Sequence, residues 1–339
     1  MLRRPFVFGV VGSVFALGVR PSWAADQMRI SLDTNPTHVR NTNTETFATR
    51  VHADIPRVAP QIFPSAQLFR DRDVPRALRQ GAVEMGIPGW WQLDGIASDA
   101  ALPSLPMFYG LSAELLYKIM DGPAGQQINR KLEERLRVKV LGRWFDLGGQ
   151  HFYSTSKPLN GYADLQGLRI RHPGGSANAA RIRTLGANPV LVPWPDVPLA
   201  LSQNTVDGLI TTHESSNTAK LWDAGVKYCF EDNQTFNQYI PMVSQAFWAK
   251  LNAEEQRKLV TAWEATVDKE RTEAAAAQIA ARDVLLRNGI TIKTAAPDEV
   301  AEARQRLMTT QDQVVGEIGM DRELVAGVLR EIRASGVRV

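Results

Sequence analysis

The chain has 339 residues, of which 44% are hydrophobic and 22% charged, and this composition excludes a disordered, collagen-like or low-complexity chain. Its single cysteine, Cys229, excludes an internal disulfide framework, a Cys-x-x-Cys redox pair and a cysteine-based zinc site. The formal net charge of +3 comes from three arginines in residues 1–24, so the rest of the chain, with 36 (39 less 3) basic and 36 acidic residues, gives no argument for nucleic-acid binding.

Residues 1–24 are predicted to be an export signal peptide. Arg3-Arg4 forms a short basic region, and Phe6–Leu17 follows as a stretch without charge. Ser22-Trp23-Ala24 then places small residues at the −3 and −1 positions, so cleavage is expected after Ala24. The alternative is a membrane anchor, but a helix over the uncharged stretch rises only about 18 Å against a hydrocarbon core of roughly 30 Å. The sequence therefore predicts a periplasmic protein.

From residue 28 onward, segments with strand and helix periodicity alternate, and glycines and prolines separate them. In chain order they are strand Met28–Leu32, helix Asn41–Ala53, strand Gln61–Phe63, helix Asp73–Gln80, strand Val83–Ile87, helices Ala113–Met120 and Gly125–Leu136, strands Val138–Phe145, Phe152–Thr155 and Leu168–Arg171, helix Ser176–Leu185, strand Asn188–Val192, helix Trp194–Gln203, strand Val206–Thr211, helix Ser215–Ala224, and strands Val226–Phe230 and Met242–Phe247. This alternation predicts an α/β fold with mainly parallel strands.

Residues 252–288 contain neither proline nor glycine and predict one helix of about 55 Å. We expect this helix to run past both halves of the molecule, with Leu259, Trp263, Val267 and Ile279 among its packed positions. The chain has no internal repeat and no glycine/serine linker, so any domain boundary is expected at strand crossovers.

No segment carries a specific catalytic or metal-binding pattern. His213-Glu-Ser-Ser-Asn217 begins like the zinc motif HExxH, but an asparagine stands at the position of the second ligand. A nucleophile elbow, a P-loop, an SxxK motif and a dinucleotide fingerprint are absent from the sequence. We therefore expect a protein that is not an enzyme and that needs neither a metal nor a cofactor.

The segment Leu168–Ser176 carries the strongest indication of a ligand site. A predicted strand delivers Arg169 and Arg171 to one face, and a His-Pro-Gly-Gly turn then leads to a helix N-terminus, where free N–H groups favour an anion. An arginine in this position can bind a carboxylate through two parallel charge-assisted hydrogen bonds. A surface arginine paired with a nearby acid explains the local pattern equally well.

Several sequence runs, in this order and spacing, resemble one known family. They are Gln67-Leu68, Asp71–Val74, Gln80–Met85, Asp164–Gly175, Leu185–Val190, Val197–Gly208, Ala219–Trp222 and Ser244–Trp248. The family comprises the extracytoplasmic solute-binding subunits of tripartite ATP-independent periplasmic (TRAP) transporters, of the C4-dicarboxylate-binding type. The resemblance covers most of residues 28–290. It implies a two-lobe periplasmic binding protein fold, joined by crossover strands and a long helix, that closes on an organic acid.

The same resemblance implies the domain organisation and the partners. Lobe I is expected in residues 25–148 with about 237–270, and lobe II in residues 149–236 with about 271–339. The protein is expected to be a monomer that captures a small organic acid and delivers it to the membrane permease subunits of a TRAP transporter. The alternatives are a ligand-sensing binding subunit of a receptor and a secreted enzyme on the same fold.

The family's carboxylate-binding arginine falls on Arg171, and a second family arginine falls on Gln150. The family's polar segment after Asp-Gly falls on residues 209–212, which makes Thr211 a candidate ligand residue. Because these replacements remove one positive charge, we expect a monocarboxylate that is otherwise held by neutral groups. Further candidates lie at strand ends, in a turn and in the second crossover: Asn35, His38, Trp90, Trp91, Trp194, Phe236, Asn237 and Tyr239.

Overall fold

A computed structural model describes residues 26–337 and residue 339, so the predicted signal peptide lies outside the described residues. The strands are β1 (Asp26–Ser31), β2 (Val58–Phe63), β3 (Met85–Gly86), β4 (Val138–Val140), β5 (Phe145–Ser154), β6 (Arg169–His172), β7 (Asn188–Leu191), β8 (Gly208–Thr211), β9 (Tyr228–Tyr239), β10 (Met242–Ser244) and β11 (Thr291–Thr294). The helices are α1 (Val39–Asp54), α2 (Val74–Arg79), α3 (Ala113–Met120), α4 (Pro123–Leu136), α5 (Ser176–Thr184), α6 (Val197–Ser202), α7 (His213–Thr218), α8 (Gln245–Trp248), α9 (Ala253–Arg287), α10 (Pro297–Met308), α11 (Gln311–Ile318) and α12 (Arg322–Ala334).

The strands form two mixed sheets with helices packed against them. The first sheet has the order β2-β1-β3-β10-β4, in which β1 runs parallel to β2 and β3 while β10 is antiparallel to its neighbours. The second has the order β11-β9-β5-β8-β6-β7, with β6 parallel to β7 and β8. The predicted α/β, two-sheet architecture is confirmed.

Two long strands carry the chain between the sheets. β5 and β9 pair antiparallel from Phe145↔Tyr239 to Ser154↔Tyr228, with two irregularities in register. An isolated bridge between Gly89 and Tyr239 connects β9 to the segment that follows β3. The sequence predicted strand structure at both ends of β5 but only at the start of β9, because the crossing parts are polar or glycine-rich and lack a clear alternation of apolar residues.

Two predicted strands are shorter than expected because of local turn chemistry. The segment predicted as one strand over Val138–Phe145 is divided into β4 and β5 by Gly142, whose φ of 144° is a conformation that favours glycine. The segment predicted as a strand over Met242–Phe247 leaves the sheet at Ser244. The hydroxyl of Ser244 accepts a hydrogen bond from the Phe247 N–H and thereby starts α8.

The long helix α9 spans 35 residues and confirms the predicted single helix. A capping box between Asn252 and Glu255 satisfies free N–H groups at its start. Trp263 is fully buried and stacks on Phe145 with ring centroids 4.0 Å apart. Leu259 and Val267 are also buried, but Ile279 is 70% exposed, so the prediction that it packs was wrong.

The last two helices pack with the first sheet. Val315, Val325 and Ile332 belong to the hydrophobic cluster that contains the core of that sheet. The lobe boundaries stay a prediction, and this packing favours a revision in which α11 and α12 belong to lobe I. Among the described residues, none of the helices has the length and apolar character that a membrane crossing requires.

Candidate functional site

A cavity of about 100 Å³, here called the main cavity, lies between the two sheets. Its walls come from segments at the carboxyl ends of parallel strands: Asp33 follows β1, Trp91 follows β3, Arg171 is near the end of β6 and Thr211 ends β8. Crevices at the carboxyl ends of parallel strands are the usual ligand sites of open α/β sheets. The topology therefore places the main cavity where the ligand sites of such sheets usually lie.

Arg171 is a buried cation in the wall of the main cavity. The centre of its guanidinium lies 5.4 Å from the centroid of the Trp194 ring, and its Nε donates to the Val192 carbonyl at 2.8 Å. None of the carboxylates of the described residues forms an ion pair with it. Burial lowers the pKa of Arg171 to about 9, although the nearby Asp33 acts in the opposite direction. The side chain is thus charged at neutral pH and lacks a protein anion.

Arg169, two residues earlier on the same strand, has a different environment. It is exposed and binds Asp207 through two side-chain hydrogen bonds of 3.0 and 2.6 Å. The alternative of a surface arginine paired with an acid therefore describes Arg169, whereas Arg171 faces the cavity.

Six of the predicted ligand residues line the main cavity. They are Arg171, Gln150, Thr211, Trp91, Trp194 and Tyr239. Gln150 is held by Thr235, whose hydroxyl donates to its Oε1 at 3.1 Å. The structure brings these side chains together from both sheets and from the crossover strands; their contact with a ligand stays a prediction.

The other five predicted residues do not line the main cavity. Trp90 is fully buried and packs edge-on against Trp91, because it points into the core. Asn35 donates to the Thr218 carbonyl at 2.7 Å, across the cleft. His38 caps α1 and pairs with Glu214 at 2.8 Å.

The remaining two lie on β9. Phe236 faces a second cavity on the other face of the crossover strands. Asn237 is fully buried, and both of its amide atoms lack a partner among the described residues. It shares a strand face with Thr235 and Tyr239, since side chains alternate along a strand.

Sequence reasoning missed several wall residues, of which the most important are acidic. Asp33 and Asp71 line the main cavity, together with Thr34, Gln92 and Ser215. Asp33 lies two residues after the end of β1, so the strand-end argument that selected Asn35 and His38 also applies to it. Asp71 lies in a family-like segment, but nothing in the local sequence indicates that the chain folds it against the cleft.

The two halves touch each other across the main cavity. Gln92 donates to the Pro173 carbonyl at 3.1 Å, and Arg70 pairs with Asp196 at 2.8 Å. The Ser176 N–H, at the first turn of α5, donates to the carboxylate of Asp94 at 2.6 Å. The helix N-terminus that the sequence suggested for a ligand anion therefore holds a protein carboxylate instead. These contacts describe a closed cleft.

A second cavity of about 350 Å³, here called the rear cavity, lies on the opposite face of β5 and β9, beside α9. In its wall, His151, His213 and Glu231 place potential metal ligand atoms within 4.8 Å of one another. The carboxylate of Glu231 already has three partners, because it accepts hydrogen bonds from His213 at 2.7 Å, from Arg282 at 2.8 Å and from Thr294 at 2.6 Å. The positive charge of Arg282 opposes a metal ion there, so the group behaves as a buried ion network.

Comparison with known proteins gives a consistent result. Residues 31–316 match the model of the family described as bacterial extracellular solute-binding protein, family 7. A solute-binding protein of Chromohalobacter salexigens is 22% identical over 309 residues, which cover 91% of this chain and 90% of that protein.

Two solved structures share the fold. A TRAP periplasmic solute-binding protein from Sulfurospirillum deleyianum, with bound succinate, has a TM-score of 0.82 and 24% identity over 90% of this chain and 98% of that chain. A sugar acid binding protein from Advenella mimigardefordensis, in complex with galactonate, has a TM-score of 0.85 and 17% identity over 91% of this chain and 98% of that chain. At these identities the likeness establishes the two-lobe fold.

Proposed function

Since the chain belongs to the bacterial extracellular solute-binding proteins of family 7, we propose that it captures a small organic monocarboxylate in the main cavity and delivers it to the permease of a TRAP transporter. The resemblance found in the sequence is thereby confirmed at the level of the family. The protein acts in the periplasm, after removal of residues 1–24, and it works as a monomer.

The observation that carries the proposal is the environment of Arg171. Its guanidinium is buried in the cavity wall without a carboxylate partner among the described residues, and a buried charge without a partner is costly. A ligand carboxylate supplies the missing charge and two acceptors for the planar guanidinium. Gln150 and Thr211, where the family pattern has further polar ligands, offer no second positive charge, which favours one carboxylate over two.

Ligand capture follows from the position of the cavity between the sheets. Only a closed molecule lets groups from both halves contact one small ligand, so the ligand shifts an open ensemble toward the closed state. The permease then recognises a closed, loaded protein. Two relatives of the same fold bind an acid, succinate in one case and galactonate in the other, which supports this class of ligand.

The proposal is tested by thermal-shift screening of monocarboxylates and dicarboxylates, followed by titration calorimetry of the best ligand. A ligand at one hundred times its Kd should stabilise the protein by about 2.7 kcal/mol. Arg171→Lys keeps the charge but loses the planar fork. It should weaken binding by about thirtyfold to several thousandfold, the equivalent of roughly 2–5 kcal/mol.

Arg169→Lys is the matched control, because Arg169 lies on the same strand, is exposed and pairs with Asp207. Its Kd should stay within about threefold of wild type, since exposed ion pairs contribute about 0–1 kcal/mol. Binding of a non-acidic class of ligand, or an unchanged Kd in Arg171→Lys, would contradict the proposed function.

A further inference from the structure

We propose that the ligand of the main cavity is a zwitterion, a small acid that carries an ammonium group in addition to its carboxylate. This inference rests on the proposed function, in which Arg171 binds the carboxylate. It concerns the other end of the ligand, and it follows from two acidic side chains on the wall that faces Arg171 from the first sheet.

Asp33 and Asp71 both line the main cavity, and the buried Arg40 interacts electrostatically with both of them. Arg40 is fully buried and forms an ion pair with Asp33. Asp71 is 7% exposed and accepts a hydrogen bond from the Gly89 N–H at 3.3 Å, but it has no ion pair with any described residue. Asp71 is therefore a buried carboxylate at the cavity wall that shares the charge of Arg40 with Asp33 and forms no ion pair with a described residue.

The sum of the buried charges then decides what the cavity accepts. When Arg40, Arg171, Asp33 and Asp71 are ionised, two positive charges face two negative charges and the wall is neutral. A monoanion adds one negative charge, which is costly in a buried site unless Asp71 takes up a proton. A ligand with one carboxylate and one ammonium group adds none. Arg72 also lines the cavity, but its side chain is 53% exposed, so solvent screens it.

The protonation state of Asp71 depends on the charge of the group that lies beside it. Burial, and then the neighbouring Asp33, raise the pKa of Asp71 well above its ordinary value. A positively charged group beside Asp71 would lower that pKa again and form an ion pair in a poorly solvated place. A hydroxyl group on the ligand can donate a hydrogen bond to the same carboxylate, but it brings no charge.

The size of the cavity limits the candidates. An apolar cavity of about 150 Å³ holds one benzene molecule, which has six non-hydrogen atoms. The main cavity, at about 100 Å³, therefore suits a ligand of about six non-hydrogen atoms or fewer, in the arrangement of side chains described here. Short amino acids have this size and this pair of charges.

The experiment compares acids that differ only in their second group. Titration calorimetry at pH 7 measures the Kd of the full-length mature protein for two sets: glycine, glycolate and acetate; and 3-aminopropionate, 3-hydroxypropionate and propionate. We expect the amino acid of at least one set to bind at least about tenfold more tightly than both of its partners. Asp71→Asn, which keeps the shape but not the charge, should abolish that preference, because truncating one partner of a buried ion pair lowers affinity by about thirtyfold or more.

Each outcome decides between the two proposals. If the hydroxy acid or the plain acid of every set binds as tightly as the amino acid, or if Asp71→Asn keeps the preference, the ligand is not a zwitterion while the proposed function stands. If the amino acids do not bind but other acids do, the result is the same. If no carboxylic acid binds in any screen, both proposals fail. Should Asp71→Asn not fold, as judged by its thermal melting, the wild-type ratios alone decide.

Discussion

At the scale of single residues, the charged groups of this protein differ in whether they have a partner of opposite charge. Arg169 and Arg171 stand two positions apart on β6, yet Asp207 neutralises the first while no described carboxylate neutralises the second. The difference arises because β6 starts at the exposed Arg169 and is buried from there on, with Arg171 in the wall of the main cavity. An unpaired charge at the end of a strand is therefore informative about ligand chemistry, whereas a paired one at its start is not.

The Glu231 network beside the rear cavity should make stability depend on pH in a defined direction. Burial alone would raise the pKa of Glu231, but hydrogen bonds from His213, Arg282 and Thr294 hold that pKa well below its ordinary value of 4.5. A carboxyl group with a depressed pKa in the folded state stabilises the protein above its unfolded pKa, and this contribution is lost as the pH falls toward the folded pKa. Glu231→Gln should therefore lower the free energy of unfolding by about 1–2 kcal/mol at pH 7.

The same difference between wild type and Glu231→Gln should shrink as the pH falls below 4.5, and urea unfolding at a series of pH values measures it. Glu45→Gln, at an exposed position of α1 without an ion pair among the described residues, should show no such trend. If the difference in free energy of unfolding between wild type and Glu231→Gln is the same at pH 7 and at acid pH, the charge of Glu231 does not contribute to stability and the prediction is wrong.

Cys229 should be unreactive in the native protein. Its side chain is 1% exposed on β9, and burial raises the pKa of the thiol well above its ordinary value, so little thiolate forms at neutral pH. Labelling with a disulfide reagent should be on the order of a hundredfold or more slower in buffer than in denaturant, because it requires local opening. Comparable rates in both conditions would contradict the burial of this strand.

At the scale of elements, α9 has buried positions, such as Trp263, and exposed ones, such as Ile279. Trp263 packs on Phe145 and, at 5.4 Å, on Phe47, and its indole N–H donates to the Arg143 carbonyl at 2.8 Å. Trp263→Ala should lower the free energy of unfolding by about 3–5 kcal/mol, since it leaves a cavity between α9, α1 and β5.

The same helix supplies the control for that prediction. Ile279 is 70% exposed, so Ile279→Ala should change the free energy of unfolding by less than about 0.5 kcal/mol. Urea unfolding followed by fluorescence and by circular dichroism measures both variants. Similar losses in the two variants would mean that the buried face of α9 differs from the one described.

At the scale of the whole molecule, the closed cleft is held by polar contacts at its mouth. Arg70 and Asp196 pair at 2.8 Å across it, but their side chains are 43% and 41% exposed. Exposed pairs contribute about 0.2–1 kcal/mol, so Asp196→Asn should raise the ligand Kd by at most about fivefold. The effect should disappear in about 1 M salt, where the screening length is about 3 Å.

Titration calorimetry at low and high salt tests the contribution of the Arg70–Asp196 ion pair to ligand affinity. Small-angle scattering with and without ligand measures the closure of the cleft. Asp223→Asn, on the exposed surface of the same half, is the control and should leave the Kd unchanged. A loss of affinity above tenfold, or one that persists at high salt, would mean that Asp196 does more than hold the mouth of the cleft.

The sequence by itself determined the elements and the family. Local periodicity and stop residues predicted most helices and strands, and the absence of glycine and proline predicted α9 as one helix. The family-like runs selected Arg171 as the candidate, because the family's arginine is tied to a local strand, turn and helix pattern, and the structure places Arg171 in the wall of the main cavity. Predictions that depended on a partner beyond the local segment were less reliable: Ile279 is exposed, and Trp90 points into the core.

Only the tertiary structure decided which polar groups share one cavity. Asp71 and Arg171 are one hundred residues apart in the chain, and no local pattern connects them. They meet because the carboxyl ends of β1, β3, β6 and β8 all face the same cleft, once β5 and β9 have set the two sheets opposite each other. Whether a charge is paired, buried or free depends on such distant neighbours, so the charge balance from which we infer a zwitterionic ligand is a property of the fold and not of any segment.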